Sequence, residues 1–117
     1  MKAESRLIRH LKQFRKEDAM RRGTTQQIIF ALSESIDMAA LYITFQQGGK
    51  TVLEKTIDDV VIDGNNIIVD FTQEDTLALK GSQTVYIQLR IRDTSDNAVA
   101  SNVLRLYADD ILKEGVI

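Results

Sequence analysis

Two hydrophobic spacings divide this 117-residue chain. In residues 3–19, Ala3, Leu7, Leu11 and Phe14 recur at steps of four, four and three, with Ile8 beside them. That is the spacing of one narrow apolar stripe on a helix. Long straight side chains with good helix propensity fill the remaining positions. A stripe this short needs a partner surface to be stable. Gly23 ends the pattern, and from Thr24 onward the dominant step is two.

The step of two predicts a succession of short strands. Residues 24–32 (TTQQIIFAL) are rich in β-branched and aromatic side chains. Residues 39–47 (AALYITFQQ) alternate, with Leu41, Ile43 and Phe45 on one face and Tyr42 and Thr44 on the other. Gly48-Gly49 signals a two-residue hairpin into residues 50–56. Residues 60–62 are a short strand, Asp63-Gly64 a second hairpin signal, and residues 66–71 alternate again. Residues 72–79 (TQEDTLAL) break the rule: Thr72 as N-cap with Asp75 three residues on predicts one helical turn crossing between sheets. Residues 83–92 form the cleanest strand, with Val85, Ile87, Leu89 and Ile91 opposing Thr84, Tyr86, Gln88, Arg90 and Arg92. A polar turn at Thr94-Ser95-Asp96-Asn97 leads into a strand at 98–107, and a polar turn opens the tail at 109–117.

Six or seven short strands with turn signals about every ten residues predict a mainly β fold. The expected architecture is a two-sheet antiparallel β-sandwich, Ig-like in architecture only, preceded by an N-terminal α-helix; a small barrel is the alternative. Two segments are expected: a basic amphipathic helical arm at 1–22 and a β-sandwich domain at 23–117.

Composition narrows the chemistry. The chain has no Cys, Pro or Trp and a single His, His10. That excludes disulfides, thiolate nucleophiles and multi-His or Cys-ligated metal centres. His10 lies among Arg9, Leu11 and Lys12 with no carboxylate or hydroxyl at helical spacing, so it reads as a helix surface residue. Gly48-Gly49-Lys50-Thr51 lacks the glycine pattern of a phosphate loop, and Asp93, Asp96 and Asn97 lack the spacing of a calcium loop. The carboxylate pairs Asp58-Asp59, Glu74-Asp75 and Asp109-Asp110 sit in or beside turns, where Asp bonds local backbone. No enzyme activity, cofactor or metal is expected. No apolar run is long enough to span a bilayer, and the N-terminal apolar residues are broken by charges, unlike a secretion signal.

Charge changes the picture most. The net charge of −2 conceals eight basic against three acidic residues in 1–22, a net +5, and seven basic against fourteen acidic in 23–117, a net −7. The arm therefore carries the candidate docking residues: Leu7, Ile8, Leu11 and Phe14 on the stripe, Arg6, Arg9, Lys12 and Arg15 beside it. Docking onto an acidic protein surface accounts for both charge and stripe. Nucleic-acid contact accounts for the charge alone, and the acidic remainder would repel a polyanion.

Several patches also resemble a known group. Arg22-Gly23-Thr24-Thr25, residues 40–49 (ALYITFQQGG), residues 71–77 (FTQEDTL), Gln88-Leu89-Arg90, Ala100-Ser101-Asn102 and residues 111–117 (ILKEGVI) are similar to small prophage-encoded proteins of Gram-positive bacteria found among tail genes. In outline they also resemble the N-terminal Ig-like domain of phage baseplate upper proteins. The resemblance covers about residues 20–117 and excludes the arm. It implies a structural or assembly protein of a phage tail or baseplate, made in the host cytoplasm and located in the virion. Its partners would be other tail proteins or further copies of itself, with no catalytic residues. The alternative is a small phage-encoded binding protein that regulates or inhibits a host defence protein, or contacts nucleic acid through the arm.

Overall fold

A computed structural model describes residues 19–117. The arm helix expected before them, with Leu7, Ile8, Leu11, Phe14, Arg6, Arg9, Lys12 and Arg15, lies outside the described residues. The elements that follow are β1 (Met20–Arg21), β2 (Gln26–Ala31), β3 (Met38–Gln47), β4 (Lys50–Thr56), a 3-10 turn (Ile57–Asp59), β5 (Val60–Asp63), β6 (Asn66–Phe71), α1 (Gln73–Leu77), β7 (Gln83–Asp93), β8 (Ala98–Ala100) and β9 (Leu104–Asp109).

The fold is mainly β, with two separate sheets rather than a closed barrel. The large sheet runs β1-β9-β7-β3-β4, with β8 also on β7; the small sheet runs β2-β6-β5. Every pairing is antiparallel except β1 with β9, which is parallel. The alternating positions behave as the step of two requires. Leu41, Ile43 and Phe45 of β3 and Val85, Ile87, Leu89 and Ile91 of β7 are buried, and meet Ile28, Phe30, Ile67, Val69 and Phe71 of the small sheet in one core. Phe45 and Phe71 touch edge to face across the sheets, with centroids 5.5 Å apart. Each such fully buried side chain contributes about 1.5–3 kcal/mol.

Local signals place the turns. Gly48 and Gly49 both have positive φ (57° and 75°), as the tight β3–β4 hairpin demands. Thr72 caps α1: its side chain accepts from the Asp75 N–H at 3.1 Å, and Asp75 Oδ2 accepts from the Thr72 N–H at 2.9 Å. The helical turn then carries the chain from β6 in the small sheet to β7 in the large one.

Met20 and Arg21, grouped by sequence with the arm at 1–22, form β1, paired with Ala108 and Asp109, and Met20 is 1% exposed within the core. A strand of two residues is too short to show alternation. The single strand expected over 98–107 is broken between β8 and β9, where Ser101 is buried. Its N–H donates to the Leu89 carbonyl at 2.8 Å and its Oγ accepts from the Leu89 N–H at 2.9 Å. A hydroxyl thus stands in for a backbone carbonyl and bridges the break.

Candidate functional site

The register of the large sheet determines what its outer face displays. Because Leu41, Ile43, Phe45 and the odd-numbered positions 85–91 of β7 point inward, their neighbours point out. Tyr42 stands opposite Arg90, Thr44 opposite Gln88, and Gln46 opposite Tyr86. Tyr86 in turn stands opposite Arg105, and Thr84 opposite Tyr107. All three tyrosines of the protein are therefore on this one face, 49%, 40% and 39% exposed. Arg90, Arg92 and Arg105 accompany them and are also exposed.

The face is partly ordered by its own contacts. The Arg105 guanidinium lies over the Tyr86 ring, 5.6 Å from its centroid, which holds both side chains against the sheet. Arg92 is 3.7 Å from Asp96, a loose and exposed pair worth little. Thr44 Oγ1 donates to Glu54 at 3.2 Å, which engages the carboxylate on the β4 flank of the face. Arg90 makes no ion pair among the described residues. Chemically the arrangement offers flat aromatic area with a polar tip on each ring, together with guanidinium groups suited to planar recognition of carboxylates. Such a surface is equipped for contact.

Two residues counted in the arm's basic total are engaged within the β unit. Arg22 has a largely buried side chain. It donates through Nε to the Leu79 carbonyl at 2.7 Å, and through Nη1 to Asp110 and Glu114, each at 2.8 Å. Its Nη2 reaches Glu114 at 3.0 Å. The bonds to Glu114 and then Asp110 raise its pKa above the ordinary arginine value. The Ile111 N–H and then Arg22 hold the Asp110 carboxyl below the usual range. Arg21 bonds the Asp110 carbonyl at 2.8 Å and Asp109 at 3.3 Å. Together these arginines fasten the start of the β unit to the tail after β9, which also holds Ile117 through reciprocal bonds to Gln73.

None of the docking residues expected in the arm falls within the described residues. The Tyr/Arg face was missed by reasoning from sequence. Its signal was present as two separate alternations, in β3 and in β7, lying some forty residues apart in the chain. Only their pairing makes one surface of them.

Other chemistry is sparse. Among the described residues no group of three or more His, Asp or Glu side chains is placed to hold a metal ion, and no helix is long and apolar enough to cross a membrane. An open depression at the ends of β2 and β6, between Gln27, Asp70 and Glu74, is too shallow to enclose a ligand. Comparison with protein-family models, with curated proteins and with solved structures finds no match.

Proposed function

We propose that the protein is a structural component of a phage tail or baseplate, built as an Ig-like sandwich and working through protein–protein contacts in the virion. The patches within residues 20–117 that resemble prophage tail-gene products supply the biological context. The strand order supports the Ig-like reading: β4-β3-β7-β9 facing β2-β6-β5 is the four-on-three arrangement of an immunoglobulin-type sandwich extended by one strand. The single observation that carries a contact function is the gathering of Tyr42, Tyr86 and Tyr107 with Arg90, Arg92 and Arg105 on one sheet face. Tyrosine and arginine are the residues that dominate binding energy at protein interfaces.

The test is quantitative mass spectrometry of tail particles purified after prophage induction. The expected result is this chain in fixed ratio to the other tail proteins. A fall in that ratio for Tyr86→Ala with Arg90→Ala, expressed at the same level, is expected as well. Expression without incorporation, or recovery only on a host protein, refutes the reading.

A further inference from the structure

The two outer faces of this protein are opposite in kind. On the small sheet, Ile29 stands opposite Ile68, and Ile68 opposite Val61, giving an apolar row across all three strands. Ile29 is 49% and Val61 57% exposed. The solvent face of an antiparallel sheet is ordinarily polar, and this continuous row of β-branched side chains departs from that pattern. One neighbouring row pairs Gln27 with Asp70; the other joins Ala31, Asn66 and Asp63. Residues 24–37 and 56–79, which build this sheet and its connections, contain eight carboxylates and no Lys or Arg. The outer face of the large sheet instead carries Arg90, Arg92 and Arg105 with the three tyrosines.

The spacings also agree. Asp70 and Asp63 lie on rows four residues apart along β6, about 13–14 Å, with the isoleucine row between them. Arg90 and Arg105 lie on rows four residues apart along β7, the same distance, each row also holding a tyrosine, Tyr42 or Tyr86. Two arginines can thus meet two carboxylates, and the row between them, Glu54-Thr44-Gln88, then faces the isoleucine row with Tyr42 and Tyr86 flanking it on either side.

We propose that the small-sheet face of one copy seats the Tyr/Arg face of a second copy. The contact is head to tail: each copy leaves one face of each kind free, so it propagates to a ring or a filament rather than stopping at a symmetric dimer. This goes beyond the tail reading, because it needs no phage partner. The footprint sets the strength. Three strands at about 4.8 Å spacing and six residues at about 3.4 Å give about 300 Å² per copy. Stable complexes bury about 800 Å² per partner, so association is weak, driven by concentration and opposed by salt.

Sedimentation of the full chain at low ionic strength, up to about 1 mM, tests this. The expected result is a mass that rises with concentration and an association constant at least tenfold lower in about 0.5 M salt. Ile29→Lys disables the small-sheet face, and Arg90→Ala with Arg105→Ala the large-sheet face. Each variant alone should be monomeric, with an unchanged circular dichroism spectrum. Mixed at equal concentrations they should form a one-to-one dimer and nothing larger, since one intact pair of faces remains. Three results overturn the proposal: a wild-type chain that stays monomeric, a mixture that stays monomeric, or assembly abolished by Leu11→Asp, which would make the arm the occupant of the face. Each is distinct from failure of the tail assignment, which is decided on particles.

Discussion

Thr76 offers the sharpest test of how this fold is held. It belongs to α1 and is wholly buried, and its hydroxyl serves the chain at Thr24 in both directions. The Thr24 N–H donates to Thr76 Oγ1 at 3.1 Å, and Oγ1 donates to the Thr24 carbonyl at 2.9 Å. One side chain thus ties the connection between β1 and β2 to the crossover between the sheets. Thr76→Val keeps the shape and removes the hydroxyl. It leaves the Thr24 N–H without its partner, at a cost of about 1–3 kcal/mol, and removes one further bond to the carbonyl. Thr24 is itself only partly buried, which places the expected loss near 2 kcal/mol. Thr76→Ser keeps the hydroxyl and removes one buried methyl, worth about 1 kcal/mol with its small cavity. Chemical denaturation of the three proteins should rank them wild type, Ser, Val, with the valine variant melting roughly 8 °C below wild type. If valine equals or exceeds serine in stability, packing rather than hydrogen bonding secures this junction, and the argument fails.

The Lys55–Asp75 pair gives a prediction in pH. Burial raises the Asp75 pKa, but the bonds from Lys55 at 2.7 Å and from Thr72 outweigh it, and the net shift is downward. A depressed carboxyl adds stability above its unfolded pKa of about 3.9 and loses it as pH falls through the lower folded value. Asp75→Asn should therefore flatten the fall in stability below about pH 4, and an unchanged acid limb of the stability profile would count against the pair. Arg22→Lys keeps the charge but cannot span Leu79, Asp110 and Glu114 at once. It should cost about 1–2 kcal/mol and speed amide exchange over residues 111–117, whereas unchanged exchange there would show that the arginine does not fasten the tail.

What was legible in the sequence was local. Alternation along β3 and β7 gave the inward and outward residues, because side chains on a strand point to opposite faces at every step. Gly48-Gly49 gave its hairpin, and Thr72 with Asp75 gave the cap of α1, because each depends on residues within one turn. Thr76 was not legible. A threonine in a polar turn reads as surface with a local bond such as that to the Gln73 carbonyl, and only folding brings Thr24, 52 residues away, against its hydroxyl. Gln47 is similar: at 3% exposure it bonds both the N–H and the carbonyl of Lys80, although Gln46-Gln47 reads as a polar strand end.

Sequence by itself therefore determined most element types from Thr24 onward, the exclusion of thiol and multi-histidine chemistry, and the opposed charges of residues 1–22 and 23–117. Tertiary structure decided what those charges meet. Arg21 and Arg22, summed with the arm, belong to the β unit and hold its tail. The acidic β domain is itself divided, with a carboxylate-rimmed apolar face on one sheet and an arginine and tyrosine face on the other. The reason is one of range. Periodicity and capping act over a few residues, while register and the pairing of distant strands choose which of many outward side chains share a surface.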